Sequence, residues 1–156
     1  MASVEVRGMD DLIKRFDKLI AEAPEMRREF HEKAGEALKE LVDSSIVSSG
    51  INDSHGTVRR WQVVRIGSKG GYAAVSAKSG AVGPNSAGAI TNYLEHGHVT
   101  RTPSGRAKRY RKPRIRVAFV NGFHFYETAA NRVKGEMLNL AHDFVENAAK
   151  ILEGEA

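Results

Sequence analysis

The stretch Asn92-Tyr93-Leu94-Glu95-His96-Gly97-His98 stands near the middle of the chain, and the rest of the sequence is arranged around it. Residues 87–95 predict a short helix, because Asn85 or Ser86 can accept hydrogen bonds from its first amide groups. Gly97 follows at the point where a chain leaving a helix needs a positive φ. We therefore expect a small helix with an apolar edge at Tyr93 and Leu94, ending at a glycine pivot.

A strongly basic segment follows this helix directly. Between Gly97 and Tyr126 the sequence has no acidic residue. Its basic side chains are Arg101, Arg106, Lys108, Arg109, Arg111, Lys112, Arg114 and Arg116. The formal net charge of the chain is +5, so these eight leave −3 for the rest. The sequence therefore predicts a mildly acidic body that carries one flexible basic arm at about residues 99–116.

Composition places the chain among globular proteins. With 156 residues, 41% of them hydrophobic and 28% charged, it predicts one domain over residues 1–156 with a core of its own. Cysteine is absent, which excludes disulfides and thiolate metal sites. No apolar run approaches the ~20 residues of a membrane span, and the N-terminus lacks the pattern of a signal peptide, so we expect a soluble protein.

Periodicity predicts an α+β domain. Residues 3–7 alternate like a short strand, and a first helix is expected at 11–23. Pro24 interrupts that pattern, so a second helix is expected from about residue 24 to 48. The first helix should bury one apolar face against the core. That face consists of Leu12, Ile13, Phe16, Leu19 and Ile20. The second should bury Met26, Phe30, Ala34, Ala37, Leu38, Leu41 and Val42.

The second half of the chain supplies strands and the clearest helix. Residues 58–66 and 72–77 predict an antiparallel hairpin joined by the glycine loop 67–71, and residues 115–120 predict a further strand. A last helix is expected at about 127–153. Its apolar positions are Val133, Met137, Leu140, Ala141, Phe144, Ala148, Ile151 and Leu152. We expect a small antiparallel β-sheet packed against a long helix from the N-terminal half and a long C-terminal helix.

Signs of enzymatic chemistry are weak. Glu95, His96 and His98, joined by His124 and Glu127, offer groups that bind metals, but their spacing matches no established metal pattern. A nucleophile elbow, a phosphate loop and a dinucleotide fingerprint are all missing from the sequence. We expect no catalytic activity, no cofactor and no metal.

The basic arm leaves three interpretations open. Unopposed Lys and Arg side chains with Tyr110 among them suit contact with nucleic-acid phosphates. The same arm suits the acidic surface of a neighbouring subunit, on which it would become ordered. The third interpretation is a solvated loop without a partner. Loops of that length usually have a function, which favours the first two interpretations.

Several short motifs, taken in order, resemble the minor tail or neck proteins of long-tailed bacteriophages, the family typified by gene product ten of an HK-type coliphage. The similar pieces are the strand and helix start at residues 4–13, a Gly-x-hydrophobic-Arg segment at 56–59, and an aromatic entry into a C-terminal helix at 123–130. The most recognisable is the Tyr-hydrophobic-Glu-x-Gly element, formed here by Tyr93, Leu94, Glu95 and Gly97.

The resemblance implies a structural protein of the virion that is made in the cytoplasm of the bacterial host. Such a protein joins head to tail, or completes the tail end, as one subunit of a homo-oligomeric ring. Its partners would be other head or tail proteins, with non-specific contact to packaged DNA and no membrane. The alternative from the residues alone is a nucleic-acid-binding module that uses the basic arm 101–116.

Overall fold

The computed structural model describes residues 8–99 and 119–154 and confirms the α+β class. Four helices and two small antiparallel sheets occur in these residues. The helices are α1 (Met9–Ser48), α2 (Thr57–Trp61), α3 (Ala87–His96) and α4 (Phe125–Glu153). The strands are β1 (Gln62–Ile66), β2 (Ala73–Ala77), β3 (Gly97–Val99) and β4 (Phe119–Asn121). None of these helices combines the length and the apolar composition that crossing a membrane requires.

The predicted break at Pro24 is wrong, because α1 runs through this residue as one helix of 40 residues. Helix α4 packs antiparallel against α1 on both sides of the proline. Arg15 donates to the carbonyl oxygen of Leu152 at 3.0 Å, and the Phe30 and Phe144 rings lie 5.7 Å apart. Proline inside a helix removes one hydrogen bond and crowds the preceding turn. The contact of both halves of α1 with α4 offsets that cost and keeps the helix continuous.

The expected strand at 58–66 begins four residues late, since its first part forms helix α2. Asp53 explains the difference. Its carboxylate accepts hydrogen bonds from the amide of Val58 at 2.9 Å and from the amide of Arg59 at 3.2 Å. A carboxylate at this place stabilises the first turn of a helix. The predicted hairpin is otherwise confirmed, with β1 and β2 antiparallel and Val64 opposite Val75.

The hairpin lies directly on α1 at Gly35. A Cβ atom at Gly35 would lie 2.5 Å from Cγ1 of Val64, so only glycine allows this close approach. The core forms beside this contact, where the C-terminal half of α1 meets α2 and the first turns of α4. Its centre consists of Val42, Ile46, Val58, Phe125 and Ala129.

Burial along the two long helices confirms two of the three predicted apolar faces. The eight apolar positions expected to face inward on α4 are buried or half-buried, and so are the seven expected for residues 24–48. The face predicted for the first helix is wrong: Leu12, Ile13, Phe16 and Ile20 are exposed, and only Leu19 is half-buried. Within the described part of the chain, these four side chains stay between 42% and 70% exposed.

Several predictions lie outside the described residues. The strand at residues 3–7, the eight basic residues of the arm and the start of the strand at 115–120 are among them. The end of that strand is described as β4, which pairs with β3 so that Val99 stands opposite Phe119. Helix α4 begins at Phe125, two residues earlier than expected, and His124 at its start has a φ of 52°.

Candidate functional site

Glu95 of the central stretch is buried and caps a helix that begins 30 residues later in the sequence. Its side chain is only 4% exposed. One carboxylate oxygen accepts a hydrogen bond from the amide of Tyr126 at 2.9 Å, and the other from the amide of Glu127 at 3.2 Å. These amides open α4, where the helix dipole favours negative charge. Glu95 therefore joins α3 to α4 through charge-assisted hydrogen bonds.

The short helix that presents Glu95 begins and ends as predicted. The Ser86 side chain accepts a hydrogen bond from the amide of Ala89 at 3.2 Å, which confirms one of the two expected caps. Gly97 ends the helix with a φ of 78°, a conformation that favours glycine. The sequence did not predict the burial of Glu95, because the amides that it binds belong to a distant helix.

Two glycines bring the backbones of β3 and β4 into contact beside Glu95. A Cβ atom at Gly97 would lie 2.2 Å from the carbonyl oxygen of Val120, and one at Gly122 would lie 2.1 Å from the carbonyl oxygen of Glu95. The amide of Phe123 donates to the carbonyl oxygen of Leu94 at 2.7 Å. Larger residues at either glycine would push the strands apart, so this crossing is a rigid joint.

A buried polar chain extends the joint to the hairpin. The Tyr126 hydroxyl donates to the side-chain oxygen of Gln62. The Gln62 amide in turn donates to the carbonyl oxygen of Val58 at 2.9 Å and to the Thr91 hydroxyl at 3.4 Å. Burial, together with the nearby negative charge of Glu95, raises the pKa of Tyr126 to about 12. The phenol therefore stays protonated as a donor at any physiological pH.

The other motif residues occupy different surroundings. Leu94 packs against the core, whereas Tyr93 is partly exposed and its ring lies 5.4 Å from that of His98. With both Glu95 oxygens bound to backbone amides, the motif works as a structural connection between α3, α4 and the two strands.

The residues considered as metal ligands do not form one cluster in the described chain. Nδ1 of His124 lies 3.5 Å from a Glu127 oxygen in an exposed pair. The described groups that come close enough to share an ion are instead His142, Asp143 and Glu146, all exposed on α4. Neighbours within one helical turn approach each other in this way without any metal, so the cluster indicates no site by itself.

Asp53 forms a smaller buried site at the start of α2. Its side chain is 5% exposed and also pairs with the guanidinium Nε of Arg59 at 3.2 Å. Burial acts to raise the pKa of the Asp53 carboxyl, but the hydrogen bonds from Val58 and Arg59 and the positive charge of Arg59 outweigh it and lower the pKa below its ordinary value. Asp53 thus stays ionised as the cap of α2.

The most prominent surface feature is the N-terminal stripe, which we define as Met9, Leu12, Ile13, Phe16 and Ile20. All five side chains are exposed, Ile20 by 70%. Their spacing of three and four residues places them along one side of α1. Scattered apolar residues are normal on a surface, but a continuous row of this kind marks a contact site. The spacing was visible in the sequence, and only the structure shows the row uncovered.

A second exposed apolar group, here called the ribbon patch, consists of Val99 on β3 and Phe119 on β4. The two residues stand directly opposite each other, and their exposed fractions are 66% and 47%. A ribbon of two three-residue strands is marginal in water unless something packs on it. The ribbon patch flanks residues 100–118, which contain the eight predicted basic residues.

Comparison with known proteins gives no relative: no family model, no curated protein and no solved structure matches this chain.

Proposed function

We propose that this protein is a structural virion protein of a long-tailed bacteriophage that acts as one subunit of a ring at the head–tail neck or at the tail end. The observation that carries the proposal is the N-terminal stripe, a row of large apolar side chains on a helix that the described chain leaves uncovered. A subunit that completes its surface on assembly needs such a row. The proposed partners are further copies of this chain and other head or tail proteins.

The joint around Glu95 supports a mechanical role. Leu94, Glu95 and Gly97 of the family motif take part in one connection of α3, α4 and the ribbon, and both carboxylate oxygens of Glu95 are bound to backbone amides. A ring subunit needs rigid elements that hold its contact surfaces in fixed positions. We propose accordingly that the protein has no catalytic activity and needs no cofactor.

Electron microscopy of a phage that lacks this gene tests the proposal. We expect full heads beside unattached or incomplete tails, and rescue when the gene is supplied from a plasmid. A matched plasmid with Glu95→Ala should rescue poorly, because the joint is weakened. Normal infectious virions without the gene would overturn the structural role, whatever the protein does when purified.

A nucleic-acid-binding module is the second candidate, favoured by eight basic residues without one acid between residues 100 and 118. Binding that depends on phosphate contacts weakens steeply with salt, by a slope of roughly 0.9 per contact for duplex DNA. Replacing Arg109, Arg111 and Lys112 by Gln should flatten that slope. The control replaces Lys33, Lys134 and Lys150, which are exposed on the two long helices, and removes the same charge. Equal effects of the two triple variants would overturn this candidate.

A further inference from the structure

The N-terminal stripe and the ribbon patch lie near opposite ends of α4 in the described part of the chain. Arg15, which lies on α1 between the stripe residues Ile13 and Phe16, donates to the carbonyl oxygens of Leu152 and Glu153 at the end of α4. The ribbon patch belongs to the joint at the start of α4, where Glu95 binds the amide of Tyr126. Helix α4 has 29 residues and, at about 1.5 Å per residue, separates the two surfaces by about 43 Å. One copy therefore cannot cover its own stripe with its own ribbon.

We propose that copies of this chain associate head to tail, with the N-terminal stripe of one copy packed on the ribbon patch of the next. This inference deepens the proposed function, since it names the two surfaces through which the ring would close. A contact between two different surfaces repeats from copy to copy, and it closes into a ring when the rotation between neighbours allows it. Both surfaces are covered in the assembly, except at the ends of an unclosed chain.

Charge complementarity favours this pairing. Residues 9–25, which carry the stripe, contain five acidic and three basic side chains. Residues 100–118, which connect the two strands of the ribbon, contain eight basic side chains and no acidic one. Opposite charges around an apolar centre speed encounter and fix the orientation of two surfaces. The segment that carries the stripe and the segment that joins β3 to β4 in the sequence are thus opposite in charge.

Charge also disfavours the simplest alternative, in which two stripes pack on each other. In an antiparallel pair centred on Phe16, Asp10 faces Glu22 and Lys14 faces Lys18, whereas Arg15, which would face Asp17, is already bound to the end of α4. Like charges placed opposite each other oppose association. A second copy in that orientation is therefore a poorer occupant of the stripe than the ribbon patch.

Two variants separate the two halves of the proposed contact. Phe16→Glu with Ile20→Glu places charge on the stripe, and Val99→Glu places charge on the ribbon patch. Each should raise the concentration for half-assembly by about 30-fold or more, the loss that one interface hot spot produces. Leu138→Glu and Asn131→Glu on α4 add charge at exposed positions away from both surfaces and should leave assembly unchanged.

Sedimentation of mixed variants then gives a decisive result. The stripe variant keeps a working ribbon patch, and the ribbon variant keeps a working stripe. Each alone should remain a monomer of 17.1 kDa, and an equal mixture should form a dimer of twice that mass and nothing larger. Circular dichroism and thermal unfolding of each variant verify that the monomers are folded.

Three outcomes would overturn the inference. The ribbon variant assembling alone would show that stripes contact stripes, and the absence of a dimer in the mixture would show that the two surfaces do not meet. A wild-type protein that stays monomeric at the highest concentration measured would exclude self-association. The electron microscopy of the gene deletion tests the role in head–tail joining or tail completion without reference to these surfaces, so failure of this inference is distinguishable from failure of that role.

Discussion

The two ends of α1 have the same apolar periodicity and different surroundings. Near its C-terminal end, Ile46 is fully buried among Val42, Val58 and Phe125. Near its N-terminal end, Ile20 is 70% exposed. Periodicity identifies the side of a helix that contacts something, but it does not identify the partner. We infer that the C-terminal half of α1 stabilises the fold by packing in the core. We infer that its N-terminal part contacts another subunit.

The largest expected effect distinguishes the two ends by stability. Ile46→Ala removes a fully buried side chain from a packed core and should lower the free energy of unfolding by about 2–5 kcal/mol. The matched change Ile20→Ala should alter it by less than about 0.5 kcal/mol, because the side chain is mostly exposed. Urea unfolding at a concentration below that of assembly measures both. Similar losses for the two variants would mean that the stripe is part of the core.

Glu95→Ala tests how much the joint near the C-terminal end of α1 contributes to stability. The change leaves the amides of Tyr126 and Glu127 without their acceptors, and it should cost about 1–3 kcal/mol of unfolding free energy. Glu95→Gln keeps one acceptor oxygen and should cost less. The joint also holds the ribbon patch in place, so sedimentation at equal folded concentration should show weaker assembly for Glu95→Ala than for the wild type. A wild-type stability for Glu95→Ala would contradict the capping role.

Acid should lower the free energy of unfolding through protonation of Asp53. The pKa of its carboxyl is lowered in the folded state, so the stability it contributes is present above the ordinary value of 3.8 and is lost as the pH falls through the lower folded value. Asp53→Asn should be less stable at pH 7, by about 1 kcal/mol, because it loses a charged cap. The melting temperature of Asp53→Asn should then fall less steeply with decreasing pH than that of the wild type. Parallel plots of melting temperature against pH for the two proteins would exclude a contribution of Asp53 to the pH dependence.

Alkali should lower the free energy of unfolding through ionisation of Tyr126. Its pKa of about 12 lies above the ordinary value of 10.0, so its contribution is complete below pH 10 and is lost as the pH rises through 12. Tyr126→Phe lacks this ionisation, so its melting temperature should fall less than that of the wild type over that range. The difference absorbance of the two proteins near 295 nm gives the titration directly. An inflection near pH 10 would contradict the buried hydrogen bond to Gln62.

Local signals predicted much of this fold. Ser86 and Gly97 bound α3 as expected, because a side-chain cap and a glycine exit act within one turn of the helix that they end. The hairpin and the inner face of α4 were also predictable, because the alternation of a strand and the apolar spacing of a helix are local features of the sequence. The prediction at Pro24 was wrong because α4, which the local sequence does not reveal, packs against α1 on both sides of the proline.

The contacts of Glu95 in the joint could not be predicted from the sequence. Glu95 binds amides 31 and 32 residues away, and Asp53 decides the start of β1 by capping the residues before it. Neither contact leaves a periodic pattern in the sequence. The resemblance drew attention to Glu95 without indicating what its carboxylate binds. The eight basic residues were evident from composition, and their function remains the subject of the salt experiment.

Thiol labelling tests the difference between the two ends of α1 most directly, since the chain has no cysteine of its own. Ile20→Cys and Ile46→Cys place one thiol at each end, and the labelling rate is measured in dilute and in concentrated protein. We predict that the thiol at position 20 reacts rapidly when dilute and slowly when concentrated, whereas the thiol at position 46 is protected at both concentrations. Protection of position 20 in dilute protein, or rapid labelling at every concentration, would contradict the account.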